Sequence, residues 1–168
     1  GSGGVSAVSS GSATVNIGNP ANSFTGPLTL TSAGSSGTNT STVTLIATVL
    51  ANAGSPSSLG AATGADATLT ISGDRGPANA QLTVNSATPM ATDRPISLTA
   101  PSTVAGDKGT FTLIVSNTGS GSVTLNGPLS VGTANATKRL VINGNRTGTN
   151  TFAGDITTGA AGASLSLT

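Results

Sequence analysis

The chain has 168 residues, a formal net charge of +1, and only six basic and five acidic side chains. It contains no Cys, His, Tyr, Trp or Glu, which rules out disulfides, thiol chemistry and a Ser-His-Asp triad. So balanced a charge argues against a nucleic-acid groove or a polybasic membrane patch, and no apolar run approaches the roughly 20 residues of a membrane span.

Charged residues make up only 7% of the chain, so solubility must rest on Ser, Thr, Asn and exposed backbone. A Gly/Ser/Thr-rich chain invites disorder. Against that stand a hydrophobic content of 35%, a mean hydropathy of +0.17 and a regular apolar pattern. Local disorder is expected only over residues 1–12, inside a Gly/Ser-rich lead-in spanning 1–21.

From there on, one short motif recurs: apolar, small hydroxyl, apolar. It appears as Leu28-Thr29-Leu30, Val43-Thr44-Leu45, Leu69-Thr70-Ile71, Leu82-Thr83-Val84 and Ile96-Ser97-Leu98. It continues as Phe111-Thr112-Leu113, Val123-Thr124-Leu125, Leu129-Ser130-Val131 and Leu165-Ser166-Leu167. Period two places both apolar side chains on one face and the hydroxyl on the other, the signature of a half-buried strand. The expected core is Phe24, Leu28, Leu30, Leu69, Ile71, Leu82, Val84, Ile96, Leu98, Phe111, Leu113, Val123, Leu125, Val141, Phe152, Ile156, Leu165 and Leu167. Turns are expected at Ser72–Pro77, Asn126–Pro128 and Asn143–Asn145, where Gly, Asn and Pro cluster. Thr48–Gly60 is the best helical stretch, but Gly54 and Pro56 limit it to a helical turn within a loop.

One pattern returns at long range. Asn22-Ser23-Phe24-Thr25-Gly26 is answered far along the chain by Asn150-Thr151-Phe152-Ala153-Gly154, each followed two positions later by an aliphatic, Leu28 and Ile156. Only three Phe occur in the chain, so the recurrence of two in one frame marks a repeat. The chain is read as one long repeat over 22–149 and the start of the next over 150–168, cut from a longer array.

Short strands at this spacing fit a sandwich or barrel, or a parallel β-solenoid. The strands are very short, large residues are scarce where a sandwich core wants aromatics, and the turn residues can stack in like-on-like ladders. These favour an all-β, right-handed parallel β-helix of about seven coils, at roughly 20–25 residues per coil.

The chain also resembles the autotransporter-associated β-strand repeat, or passenger-associated transport repeat. The resemblance is carried by Asn150–Ile156 with the following Gly-rich turn and Leu165-Ser166-Leu167, and by Asn22–Leu30. Ala51–Gly60 is similar to that family's N-G-x-x-S-x-[IL]-G segment, and Thr92-Asp93-Arg94 with Leu98 to its T-D-R-x-x-x-L segment. The resemblance implies a secreted or surface-displayed bacterial protein with a parallel β-helix passenger. It carries no catalytic motif.

Chemistry is sparse. No S-x-x-K motif accompanies Lys108 or Lys138, and no two carboxylates lie closer in sequence than Asp66 and Asp74. No enzyme, cofactor or metal is expected. Asp74-Arg75, Asp93-Arg94 and Asp107-Lys108 read as solvated turns, with one exception: the Arg of Thr92-Asp93-Arg94 is placed to tie a loop to a neighbouring coil. Lys138, Arg139 and Arg146 form a basic cluster too small for nucleic acid. Asn39, Asn135 and Asn145 match a glycosylation sequon, a weak signal in a Thr-rich chain. The functional expectation is a rigid structural segment whose partners are neighbouring repeats or subunits of the same protein. An adhesin for glycan, ice or a host surface and a self-assembling filament are the alternatives. A regular row of outward Thr on one sheet would favour the adhesin.

Overall fold

The computed structural model describes residues 2–32, 41–73, 78–99, 111–132, 137–144, 148–158 and 164–167. The strands in chain order are β1 (Val5–Ser9), β2 (Ser12–Ile17), β3 (Leu28–Ser32), β4 (Ser41–Ala47), β5 (Leu69–Gly73), β6 (Ala78–Val84), β7 (Met90–Thr92), β8 (Ile96–Thr99), β9 (Phe111–Asn117), β10 (Val123–Leu125), β11 (Leu129–Val131), β12 (Thr137–Gly144), β13 (Asn150–Phe152), β14 (Ile156–Thr158) and β15 (Ser164–Leu167). All nine apolar-hydroxyl-apolar motifs fall in strands. The remaining regular element among the described residues is a single 3-10 turn at Gly64–Ala67, just beyond the stretch expected to supply one.

The strands form three sheets, and every pairing in them is parallel. The first sheet runs β1-β3-β5-β8-β11-β14, the second β2-β4-β6-β9-β12-β15, and a smaller third β7-β10-β13. Each sheet adds its strands in chain order, so the chain visits the sheets in turn and returns to lay the next strand beside the last.

Register explains the core. Val5, Leu28, Leu69, Ile96, Leu129 and Ile156 form one column across the first sheet, and Ala7, Leu30, Ile71, Leu98 and Val131 another. In the second sheet Val15, Leu45, Leu82 and Val115 align. Alternation sends these side chains inward, and Leu28, Leu30, Val43, Leu45, Ile71, Leu82, Leu98, Leu129 and Val131 are almost fully buried. Burying such a side chain contributes about 1.5–3 kcal/mol.

Of the expected core, Leu28, Leu30, Leu69, Ile71, Leu82, Val84, Ile96, Leu98, Val123 and Leu125 are buried, while Phe24, Val141 and Phe152 are half-buried. Ile156 departs from expectation. It is 39% exposed, because β14 is an outer strand with a partner on one side only. The side chains of Phe111, Leu113, Leu165 and Leu167 lie outside the described set.

Three further expectations are corrected. Residues 1–12, read as locally disordered, contain β1, paired to β3 along its whole length. Asn143 and Gly144, read as a turn, close β12 in register with Ser116 and Asn117; ladder hydrogen bonds override turn propensity at a strand end. Asp74–Pro77 and Asn145 lie outside the described residues. The third correction is coil length. The first sheet returns to equivalent positions at Val5, Leu28, Leu69, Ile96, Leu129 and Ile156. The step from Val5 to Leu28 is the shortest and matches the coil length expected. The later steps are all longer, most of all that from Leu28 to Leu69, since the chain also builds the third sheet and a long loop. Six strands therefore stack in each larger sheet.

The recurring Asn-x-Phe-x-Gly frame begins at the step that enters β3 and returns at the step that enters β14. Phe24 and Phe152 both stand four residues ahead of the first residue of a strand in the first sheet. Their surroundings differ. Phe152 lies in β13, in register with Leu125, and packs on the core. Phe24 lies outside the strands against Gly60, whose φ of +79° suits glycine. A Cβ on Gly60 would lie 2.6 Å from Phe24 Cε2.

Candidate functional site

The longest step, from Leu28 to Leu69, contains a loop that leaves β4 and rejoins the stack before β5. The loop is knotted by two serines. Ser58 Oγ accepts the N–H groups of Thr48 and Val49, both at 3.1 Å. Ser57 Oγ accepts the N–H of Leu59 at 3.1 Å and donates to the Gly60 carbonyl at 3.1 Å. Ser58 N donates to Val49 O at 3.1 Å, and Gly54 N to Ala62 O at 2.9 Å. Ser57, Ser58 and Leu59 are buried, so these bonds satisfy polar groups that water does not reach.

The loop lies along the outer edge of β7. Leu50 N points at Met90 Sδ at 3.4 Å. Thr92 Oγ1 donates to Ala51 O at 2.8 Å. Asp93 N donates to Asn52 Oδ1 at 3.1 Å, and Asp93 Oδ1 accepts from Ala53 N at 2.7 Å. Arg94 completes the clamp. Its Nη1 donates to Leu59 O at 2.7 Å and its Nη2 to Gly60 O at 3.1 Å. Residues 92–94 thus engage both limbs of the loop, and an unpaired sheet edge is covered by backbone and side chains.

Arg94 is 2% exposed. Burial lowers its pKa from the ordinary arginine value, while the neighbouring charge of Asp93 acts in the opposite direction. Among the described residues, its Nε has no hydrogen-bond partner. The sequence flagged this Arg as a tie, and the structure places it so. Asp93 is exposed, in keeping with the solvated reading of that residue, and its carboxylate also holds the loop backbone at Ala53. A second buried polar group went unforeseen. Asn117, 2% exposed, donates to Gly121 O at 2.6 Å and to Asn150 Oδ1 at 3.1 Å, and accepts from Gly119 N at 3.0 Å. It closes the turn between the second and third sheets. An Asn after an apolar run was the available signal.

Of the other acid-base pairs, Asp74, Arg75, Asp107 and Lys108 lie outside the described residues, as do Arg146, Asn39, Asn135 and Asn145. Lys138 and Arg139 are in β12, where the backbone register sets Arg139 beside Thr112 and Ser166. Among the described residues, no three His, Cys, Asp or Glu side chains gather where they could hold a metal ion. The clamp offers a fixed cation and a neutralising acid, both already engaged by loop backbone. Chemically it holds a loop.

The outward face of the first sheet is the other ordered feature. Ser6, Thr29, Thr70, Ser97, Ser130 and Thr157 align in one continuous column, all half-buried or exposed. A parallel column holds Thr31, Ser72 and Thr99, with Thr31 Oγ1 and Ser72 Oγ 2.9 Å apart. The equivalent column of the second sheet is mixed: Thr14, Thr44, Gln81, Ile114 and Val141. No family model, curated protein or solved structure matches this chain.

Proposed function

We propose that this chain is a non-catalytic structural segment of a secreted or surface-displayed bacterial β-solenoid, providing length and rigidity for display. The observation that carries the reading is the order of addition: both larger sheets grow strand by strand in chain order, always parallel and always in phase. A chain that returns to the same sheet at each step is a coil. The handedness proposed is right-handed, because parallel crossovers strongly favour that hand. With about 4.8 Å between strands, six strands make a stack roughly 29 Å tall. The resemblance to autotransporter passenger repeats supports an extracellular location. Circular dichroism should give a β spectrum; a helical or coil spectrum sinks the reading. Antibody labelling of intact cells tests the location.

A second reading, an adhesive face, is favoured by the hydroxyl column. The row lies on one sheet and spans all six of its strands, as a repetitive glycan, ice or host surface would require. Replacing Thr29, Thr70 and Ser97 together by Lys should abolish surface binding without unfolding the stack; binding that survives the triple variant refutes an adhesive role for this face.

A further inference from the structure

The two ends of the stack carry complementary edges. β1 and β2 lie at one end, β14 and β15 at the other. Four of the five pairings in the first sheet share one pattern: a residue donates its N–H to the carbonyl just before its partner in the later strand. Val5 donates to Pro27, Leu69 to Pro95 and Ile96 to Pro128, each at 2.9 Å, and Leu129 donates to Asp155 at 2.8 Å. Successive residues of a parallel strand address opposite neighbours. The N–H of Ser6 and the C=O of Gly4 therefore face the outer edge of β1. The N–H and C=O of Ile156 face the outer edge of β14. One end needs what the other offers.

The side chains at the ends fit the same scheme. Val5, Val15 and Ile17 point into the core yet are only partly buried, and Ile156 at the far end is 39% exposed. Among the described residues, nothing guards these edges. The strands VSAVS, SATVNI, ITT and SLSL contain none of the Lys, Pro or inward charges with which proteins block edge pairing.

The corner glycines supply an independent argument. Gly26 precedes Leu28 by two residues, and a Cβ there would lie 2.7 Å from Gly3 C and 2.8 Å from Ser2 O. Gly154 precedes Ile156 by two, and its Cβ would collide with the Gly127 carbonyl. In both, the missing side chain lets the previous step approach. Gly3 stands two residues before Val5 in the same column, yet a Cβ on it meets nothing within 4 Å. Its bare side faces off the end of the stack, where a preceding Gly154 would sit.

We propose that the β14–β15 edge of one copy of this chain docks on the β1–β2 edge of a second copy, continuing both ladders in phase. Ile156 then pairs with Val5, Thr157 with Ser6, and Leu167 with Ala13. The inference rests on the coiled reading of the stack and names its partner. Because the contact is heterologous and does not close on itself, repetition produces a filament. Its axial period is six strands, about 29 Å, and the hydroxyl column runs unbroken along it.

Sedimentation velocity on the full chain, over a broad concentration range, tests this. The chain should sediment as concentration-dependent multiples. Gly3→Val adds a side chain that has free space in a single copy and collides with Gly154 in a docked one. Ser6→Pro removes a donor that points away from β3. Each should weaken association by at least about tenfold, with the β spectrum and melting midpoint unchanged. Should Ser6→Pro fail to fold, Gly3→Val decides alone. A β-rich monomer at every concentration overturns the docking and leaves the structural-segment reading standing, its edges then belonging to following repeats of a longer chain. Multimers that both folded variants leave unaltered also overturn it, since another surface must be responsible. A coil spectrum overturns both readings.

Discussion

Arg94 is where one side chain decides whether a long loop stays on the stack. In Arg94→Met the side-chain length is largely kept and the guanidinium lost. Two charge-assisted hydrogen bonds disappear, to Leu59 O at 2.7 Å and Gly60 O at 3.1 Å, each contributing about 1.5–3 kcal/mol. Opposing this, removing the charge relieves the unpartnered Nε, worth about 1–3 kcal/mol. Taking the middle of each range, the balance is a loss of about 2.5 kcal/mol, concentrated on the loop. Amide hydrogen exchange reads it locally. The N–H groups of Gly54 and Ser58, bonded within the loop, and of Ala61, bonded to Phe24 O at 2.8 Å, should exchange roughly 60-fold faster, since about 1.4 kcal/mol is tenfold. The amides of Leu30 and Leu98, remote from the clamp, should change far less. If the loop amides keep their protection in a folded Arg94→Met variant, the guanidinium does not hold the loop and the reasoning is wrong.

Three other outcomes are expected. Gly154→Ala should cost about 1–3 kcal/mol in urea denaturation, because its Cβ meets the Gly127 carbonyl; a neutral result would mean the strand spacing relaxes there. Leu98→Ala, emptying a fully buried position between Ile71 and Val131, should cost about 2–5 kcal/mol, whereas Val8→Ser, at 66% exposure, should stay within about 0.5 kcal/mol; equal losses would refute the assigned faces. The denaturation midpoint should be flat between about pH 5 and 9, because the chain has no His or Cys to titrate there. Arg94 has a lowered pKa in the fold, from burial with Asp93 opposing. The unfolded chain then binds that proton more tightly, so the linked stability rises with pH, and only on entering the strongly alkaline arginine range. A change above about 1 kcal/mol near neutrality refutes this.

Much of the fold was written in the local pattern. Leu28-Thr29-Leu30 and its eight counterparts alternate at period two, and backbone pleating turns that directly into an inner and an outer face. What failed was what alternation does not encode. Met90-Ala91-Thr92 has no strand signature, yet forms β7 because β10 lies on one side and the loop on the other. Val5–Ser9 looked like a flexible leader because Gly and Ser surround it, yet its register with Leu28–Ser32 recruits it. For the candidate site, Thr92-Asp93-Arg94 was legible as a tie because a cation beside an acid stood out in a nearly uncharged chain. The depth of Arg94 was not legible. Its acceptors, Leu59 and Gly60, stand far back in the sequence, and only the inserted loop brings them over it.

The uneven spacing between paired strands has a mechanical consequence. Ladder hydrogen bonds run along the stacking direction, so tension on the two ends loads strands in sequence. Each detached strand frees the chain up to the next pairing, at about 3.3–3.6 Å per extended residue. The shortest step, Val5 to Leu28, lengthens the molecule by roughly 80 Å, and the longest, Leu28 to Leu69, by roughly 140 Å. The longest release is also the one that Arg94 fastens to the following step. A stretched molecule would therefore yield in unequal increments, with its largest reserve of slack held behind a buried charge, Arg94.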